Sequence, residues 1–164
     1  MLLYLLRHGI AEDHGTRSSD AERELTDLGR ERARNVLLSA KKMKLAVPDL
    51  VIASPLIRAQ QTAEIALETF AKNAQFETSD LITPTSDVIE TMALIAERAK
   101  SFDRIMLVGH DPHLSTFGSA LLGSSSIVME MKKASLAKFE ISRIDVPRMR
   151  GYLTALLPPR IGSL

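Results

Sequence analysis

Cysteine and tryptophan are both absent from this chain of 164 residues. Without thiols, the chain can form neither a disulfide framework nor a zinc site with cysteine ligands. A chain of this length corresponds to one domain and buries about two thirds of its unfolded surface, so an apolar core can stabilise it unaided. We therefore expect residues 1–164 to form a single domain that needs no structural metal.

An excess of charge of one sign and a long apolar run are missing as well. The 21 Lys+Arg residues balance 20 Asp+Glu residues, which excludes the broad positive field of a nucleic-acid or membrane-surface protein. Residues 1–6 are apolar, but they are too few to span a bilayer and lack the basic lead-in of a signal peptide. We expect a cytoplasmic enzyme or binding domain, monomeric because no heptad pattern favours assembly. Any anion must be bound by a few converging side chains.

Short apolar runs alternate with stretches of helical periodicity along the whole chain. Strands are predicted at residues 2–6, 49–53, 76–82, 104–108, 135–141 and 152–157. Helices are predicted to begin at Thr26, at Ser54-Pro55, at 84–87 and near Pro112. Leu28 and Ile89 are assigned to the buried faces of the first and third helix. This alternation predicts an α/β fold, a three-layer sandwich whose central sheet is mostly parallel and flanked by helices.

Polar side chains follow three of the predicted strands, where ligands bind in such sheets. The first strand leads into Arg7-His8-Gly9 and the fourth into Gly109-His110, while Arg58 lies one turn beyond the second. Arginine suits bidentate recognition of phosphate, and imidazole serves as a nucleophile or proton donor near neutral pH. Together these residues predict a pocket for a phosphoryl group that is being transferred.

Each of these residues also has a purely structural explanation. Arg7 or Arg58 alone could be a solvated cap, and a single histidine after a strand is more often structural than catalytic. Ser54-Pro55 is fully explained as the start of a helix. The coincidence of two arginines and two histidines at strand ends, with none on an apolar stripe, favours the functional interpretation.

The arrangement of four sequence blocks resembles that of the histidine phosphatase superfamily, which includes phosphoglycerate mutases and histidine acid phosphatases. The blocks are Arg7-His8-Gly9, Leu25-Thr26-x-x-Gly29, Ser54-Pro55-x-x-Arg58-Ala59-x-x-Thr62-Ala63 and Gly109-His110. The triplet alone is weak evidence, but the four blocks in this order are specific and cover most of the chain. The short interval between Thr62 and Gly109 is similar to that of the bacterial SixA-type phosphohistidine phosphatases.

The resemblance implies a phosphoglycerate mutase-like fold and a metal-independent phosphatase without a cofactor. His8 would be the nucleophile that forms a phosphohistidine intermediate, and Arg7, Arg58 and His110 would hold the phosphoryl oxygens. The implied partner is a phosphotransfer protein that carries phosphohistidine, and phosphate or another oxyanion would occupy the site. The missing capping insertion predicts a shallow, open site, unless residues 12–24 fold over it.

No general acid is evident in the sequence. Better-known branches of the superfamily carry an acidic residue on an inserted segment; here Glu90 is a possible counterpart, although a solvated helix face explains it better. Glu12, Asp13 and Asp20 are further candidates in the polar loop after His8. A site without a strong acid favours cleavage of P–N bonds, because imidazole leaves more readily than an alkoxide.

Two other functions remain open from the sequence. The same residues could serve a phosphatase that hydrolyses a small phosphomonoester, or a module that binds phosphate or a phosphoprotein without turnover. The intact nucleophile argues against the binding module.

The remaining polar residues carry weaker signals. Arg23 could reach the rim of the pocket and bind substrate, or be a solvated loop charge. His113 follows His110 by three residues, but no metal-binding motif surrounds the pair, so we expect no metal. We expect His14, Lys41-Lys42 and Lys132-Lys133 to be solvated.

Overall fold

The computed structural model describes residues 1–126 and 128–159. Its six strands are β1 (Leu2–Arg7), β2 (Leu50–Ala53), β3 (Gln75–Thr78), β4 (Arg104–Gly109), β5 (Leu136–Arg143) and β6 (Arg150–Leu157). Its four α-helices are α1 (Asp27–Lys42), α2 (Ile57–Thr69), α3 (Val88–Arg98) and α4 (His113–Leu121). Short 3-10 turns lie at Asp20–Glu22 and Asp80–Ile82. None of the helices in the described ranges combines the length and apolarity needed to cross a membrane.

All six strands form one sheet in the order β3-β2-β4-β1-β5-β6. Strands β1 to β4 run parallel to one another, whereas β5 pairs antiparallel with β1 and β6 antiparallel with β5. The mostly parallel sheet is therefore confirmed, and its last two strands extend it in antiparallel fashion. Because β4 lies between β1 and β2, the segments that follow these three strands meet at one edge.

Helices cover both faces of the sheet. Alternate residues of a strand point to opposite faces, so Tyr4 and Leu6 pack with α1 and α2. Leu3 and Leu5 pack on the other side with α3 and α4. These two apolar clusters confirm the three-layer sandwich.

Two of the predicted helix starts carry side-chain caps. Thr26 Oγ1 accepts a hydrogen bond from the Gly29 amide at the start of α1. Asp87 accepts from the amides of Ile89 and Glu90 at the start of α3. Both caps satisfy amides that have no partner within the helix, as the sequence predicts.

The structure corrects three details of the sequence analysis. Ser54 does not cap α2, because that helix begins at Ile57 and its N-cap residue is Leu56. The predicted strand at 76–82 ends at Thr78 and gives way to a 3-10 turn. Leu28 and Ile89 are exposed rather than buried, because each lies in the first turn of its helix, beyond the edge of the core.

Two glycines allow the loop after β1 to approach the start of α1. A Cβ atom on Gly29 would lie 1.9 Å from the Ile10 carbonyl oxygen, and one on Gly9 would lie 2.6 Å from the Gly29 carbonyl oxygen. Neither backbone oxygen can move aside without displacing the chain after His8. Any side chain at these two glycines of the first two sequence blocks would collide with backbone. The two glycines therefore set the position of this loop.

Replacing Gly29 by alanine should therefore destabilise the protein, although alanine favours a helix more than glycine does. We expect a loss of about 1–3 kcal/mol in the free energy of unfolding, because the methyl group overlaps with backbone. Urea unfolding measures this loss. Glu31→Ala, an exposed change in the same helix, should stay within about 0.5 kcal/mol of wild type. Equal stability of Gly29→Ala and wild type would contradict this packing.

Candidate active site

The residues predicted at the strand ends line a single cavity of about 470 Å³. Arg7 and His8 come from the end of β1, His110 follows β4, and Arg58 projects from the first turn of α2. His8, Arg58 and His110 are at most 6% exposed. The structure therefore brings these four residues together at the bottom of one recess.

His8 is held in a defined orientation. Its backbone amide donates to the Gly109 carbonyl, and the amide of Gly9 donates to Thr62 Oγ1 at 3.2 Å. Thr62 in turn donates to the Arg58 carbonyl at 2.7 Å. Residues of three sequence blocks thus fix the loop that carries His8.

The hydrogen bonding of the His8 ring determines which nitrogen is available. Nδ1 lies 2.7 Å from the Gly9 carbonyl oxygen, which can only accept, so Nδ1 carries the proton. Burial lowers the pKa of His8 from its ordinary 6.5 to about 2, and the neighbouring His110 acts in the same direction. The neutral ring therefore has an unprotonated Nε2 lone pair at physiological pH.

His110 stands beside His8 as a second neutral imidazole. The two ring centres are 4.9 Å apart, and His110 Nε2 lies 2.8 Å from Ser54 Oγ. Burial lowers the pKa of His110 to about 3, with the charge of Arg58 contributing. Ser54, taken from the sequence for a helix cap, orients His110 instead.

Arg7 and Arg58 are each anchored through their terminal nitrogens. Arg7 Nη1 donates to the Met131 carbonyl at 2.5 Å, and it lies 3.5 Å from the Asp111 carboxylate. Arg58 donates from Nη1 and Nη2 to Asp20. The Nε atom of each arginine is buried and makes no protein hydrogen bond within the described chain. Both guanidinium groups thus keep a donor edge for a ligand.

The polar segment of residues 12–24 forms one wall of the cavity, which is the condition under which the sequence does not predict a shallow, open site. Its Asp20 carboxylate accepts from Arg23 and Arg58, and it lies 3.0 Å from His14 Nδ1. His14 is exposed, as predicted, but it also lines the cavity. Arg23, an uncertain rim residue in the sequence, is buried and lines it too.

The structure separates the four candidates for a general acid. A hydrogen bond from Arg17 lowers the pKa of Glu12 to about 2, with the Glu24 amide contributing. Burial opposes ionisation of Asp20, but Arg23 and Arg58 outweigh it and lower the pKa of this carboxyl. Both groups are therefore carboxylates at neutral pH and poor proton donors.

The other two candidates differ in their position. Glu90 is exposed on α3, and the described residues that line the cavity do not include it. Asp13 is exposed and does line the cavity. Of the four candidates, Asp13 alone lines the cavity and forms no ion pair with an arginine of the described structure.

Two charged residues of the cavity were not recognised as site residues from the sequence. Lys133, expected to be solvated only, reaches the site because β5 enters antiparallel beside β1 and brings the preceding segment to the end of β1. Asp111 directly follows His110 and holds the Ser115 hydroxyl as well as facing Arg7. The position of Asp111 directly after the Gly109-His110 block could have identified it as a site residue. No local pattern in the sequence identifies Lys133 in this way.

His113 belongs to the core rather than to the site. Its Nε2 lies 3.0 Å from Thr91 Oγ1, which joins α4 to α3. Within the described ranges, no three histidine or acidic side chains are grouped so that they could hold a metal ion.

The buried neutral histidines predict a pH-dependent stability. In the unfolded chain His8 and His110 titrate near pH 6.5, but in the folded protein they stay neutral to about pH 3 or below. The unfolded state thus binds more protons in this range, and the free energy of unfolding falls as the pH decreases from about 6.5 to 3. Each imidazole contributes up to about 1.4 kcal/mol per pH unit.

Urea unfolding between pH 7 and about pH 4 tests this dependence. His110→Gln removes one titrating group, so its stability should fall less steeply with decreasing pH than that of wild type. The same slope in both proteins would show that His110 is not held neutral by the fold.

Comparisons with known proteins agree with this geometry. Residues 3–82 match the sequence profile of the histidine phosphatase superfamily, branch 1. An uncharacterized protein of Picosynechococcus sp. is 30% identical over 138 residues, which covers 83% of this chain and 82% of the relative.

Solved structures extend the match to almost the whole chain. The protein histidine phosphatase SixA, complexed with tungstate, superposes with a TM-score of 0.84 and 22% identity over 97% of both chains. A mycobacterial glucosyl-3-phosphoglycerate phosphatase superposes with a TM-score of 0.69 and 19% identity, over 94% of this chain and 97% of that one. The phosphoglycerate mutase-like fold and its similarity to SixA-type proteins, both expected from the sequence blocks, are confirmed.

Proposed function

Because this chain belongs to the histidine phosphatase superfamily, we propose that its cavity is the active site of a phosphatase with His8 as the nucleophile. The observation that carries this proposal is the unprotonated Nε2 of a buried His8, surrounded by guanidinium groups that keep Nε donors free. A site that only bound phosphate would not require such a nucleophile.

In the first step, the Nε2 lone pair of His8 attacks phosphorus in line with the leaving group. The P–Nε2 bond forms, and the bond between phosphorus and the leaving group breaks. Because Nδ1 keeps its proton on the Gly9 carbonyl, the phosphorylated ring is an imidazolium. Water then attacks phosphorus, the new P–O bond forms as the P–Nε2 bond breaks, and the ring leaves as neutral imidazole without needing a proton. The proton that the attacking water loses passes to the phosphate product or to solvent.

Fixed hydrogen-bond donors stabilise the negative charge that develops on the phosphoryl oxygens. Arg7 and Arg58 offer their Nε edges to these oxygens. Ser54 Oγ accepts from the Leu56 amide at 3.4 Å and can donate its own proton to His110 Nε2. In this tautomer the proton of His110 is on Nδ1, which has no protein acceptor within the described chain and would donate to a phosphoryl oxygen. Guanidinium groups thus do the charge neutralisation, and the mechanism needs no metal ion.

We propose phosphohistidine in a phosphotransfer protein as the substrate. Arginines hold Glu12 and Asp20 as carboxylates, so neither can protonate an alkoxide leaving group. A phosphohistidine with a protonated ring releases neutral imidazole and needs no such donor. The similarity in fold to SixA, named a protein histidine phosphatase, supports the same choice.

A small phosphomonoester is the second candidate. Asp13 lines the cavity without an arginine partner in the described structure, so it is placed to protonate an alkoxide. The fold also resembles that of a glucosyl-3-phosphoglycerate phosphatase. A cavity of about 470 Å³ suits a sugar phosphate as well as a side chain.

The test compares the hydrolysis of a phosphohistidine protein with that of an aryl phosphate, each with and without EDTA. We expect a higher kcat/KM for phosphohistidine and no effect of EDTA. Preference for the ester, together with loss of ester turnover in Asp13→Asn, would support the second candidate. Loss of activity in EDTA would contradict the metal-free mechanism.

A module that binds phosphate without turnover is the third possibility. Binding of a phosphohistidine protein without release of phosphate, and with unchanged affinity in His8→Ala, would establish that function instead.

A further inference from the structure

We propose that Asp20 is a positioning residue that turns the Nε edge of Arg58 toward the phosphoryl group, an inference that rests on the function proposed above. Asp20 lies 38 residues before Arg58, in a wall segment whose residues 13–22 are all exposed. It nevertheless makes the contacts that hold the most buried arginine of the cavity.

The contacts of Asp20 use only one edge of the Arg58 guanidinium. Nη1 donates to the Asp20 backbone carbonyl at 2.7 Å, and Nη2 donates to Oδ2 at 2.9 Å. These two nitrogens form the end of the fork. The side edge, formed by Nε and the second proton of Nη2, keeps its donors, and Nε is buried without a protein partner in the described chain. That edge matches two oxygens of a phosphoryl group.

The other carboxylate oxygen of Asp20 holds a second guanidinium. Oδ1 accepts from Arg23 Nε at 2.8 Å, and Arg23 Nη1 donates to the Glu12 carbonyl at 2.7 Å. The side chains of Arg58 and Arg23 are only 4% and 9% exposed, whereas that of Asp20 is 48% exposed. One accessible carboxylate therefore fixes two buried cations whose mutual repulsion would otherwise drive them apart.

The opposite role for Asp20 would be that of an internal competitor. A carboxylate that occupied the ligand edge of Arg58 would have to leave before a phosphoryl group could bind. The contacts favour positioning, because both bonds from Arg58 to Asp20 come from the terminal nitrogens and leave Nε uncommitted. The two roles predict opposite changes in oxyanion affinity when Asp20 is removed.

Tungstate binding, measured by calorimetry, distinguishes these roles. Asp20→Ala should bind tungstate on the order of tenfold more weakly than wild type, and its kcat/KM should fall by about 10–100-fold, as for a misplaced catalytic group. Asp20→Asn keeps an acceptor oxygen and should lie between the two. Glu22→Ala, an exposed change in the same 3-10 turn, should match wild type. Unchanged or tighter tungstate binding by Asp20→Ala would overturn the positioning role.

A double-mutant cycle shows whether Asp20 acts through Arg58. In an Arg58→Ala background, Asp20→Ala should cause little further loss of tungstate affinity, because its target is already gone. Full additivity would overturn the proposal. Circular dichroism and thermal unfolding of each variant show whether it is folded.

A second measurement separates this inference from the proposed function. The Nε–H proton of Arg58 should exchange slowly with solvent in wild type and at least about tenfold faster in Asp20→Ala, as followed by NMR. That difference would support the positioning role even if the wild-type protein hydrolysed no phosphorylated substrate, which would overturn the proposed function alone. Equal exchange rates would overturn the positioning role whatever the activity.

Discussion

Replacing His8 by alanine is expected to lower kcat/KM by at least about 10⁴-fold, both for a phosphohistidine protein and for an aryl phosphate. The reason is that Nε2 of this ring is the atom that forms the covalent bond to phosphorus. The hydrogen bond from Nδ1 to the Gly9 carbonyl at 2.7 Å holds the ring proton away from Nε2. Steady-state release of phosphate measures the effect.

His8→Gln and His113→Gln serve as controls for this result. His8→Gln keeps a polar side chain of similar size and should be as inactive as His8→Ala. His113→Gln replaces a buried histidine that bonds Thr91 outside the cavity, so it should lower stability with little effect on kcat/KM. Activity of His8→Gln close to that of wild type would show that His8 is not the nucleophile.

Replacing Arg58 by alanine is the second large effect that we expect, with a loss of about 10²–10³-fold in kcat. Arg58 supplies a preorganised donor edge at a buried position, where a charged hydrogen bond is worth more than in water. Arg58→Lys should restore little of this loss, because an ammonium group can bond neither Asp20 through two nitrogens nor two phosphoryl oxygens at once.

The combination of changes gives a sharper test of Arg58. In the His8→Ala background, Arg58→Ala should cost far less than it does in wild type, because the two residues act on the same transition state. An Arg58→Lys variant with nearly full activity would show that a positive charge, and not the shape of the fork, is what this position requires.

Much of the architecture was accessible from the sequence because the signals are local. The apolar runs that became β1, β2 and β4 are buried on both faces, and such strands are continuous in sequence. Once these strands are taken as parallel, their ends must meet, which predicts that His8 and His110 are neighbours. Arg58 follows by one helical turn, as expected.

The parts that the sequence did not reveal depend on contacts between distant segments. Ser54 reads locally as a helix cap, but its hydroxyl is used by His110, which lies 56 residues away. Lys133 reaches the cavity through the antiparallel pairing of β5, which no sequence periodicity predicts. Asp20 was a candidate general acid in the sequence, but its contacts with Arg23 and Arg58 depend on the path of the loop. Gly29 could be recognised from the sequence as part of a motif. The reason that no Cβ atom fits there is the nearby Ile10 carbonyl, whose position only the structure gives.

The most direct test of the account is to trap the covalent intermediate. The protein is mixed with a phosphorylated substrate, quenched at alkaline pH within the turnover time and digested, and its peptides are analysed by mass spectrometry under conditions that preserve phosphohistidine. We predict one phosphorylated peptide, modified at His8, whose phosphate is lost in acid and which is absent from His8→Ala. Turnover of substrate with no phosphate on His8, or with phosphate on another residue, would contradict the account.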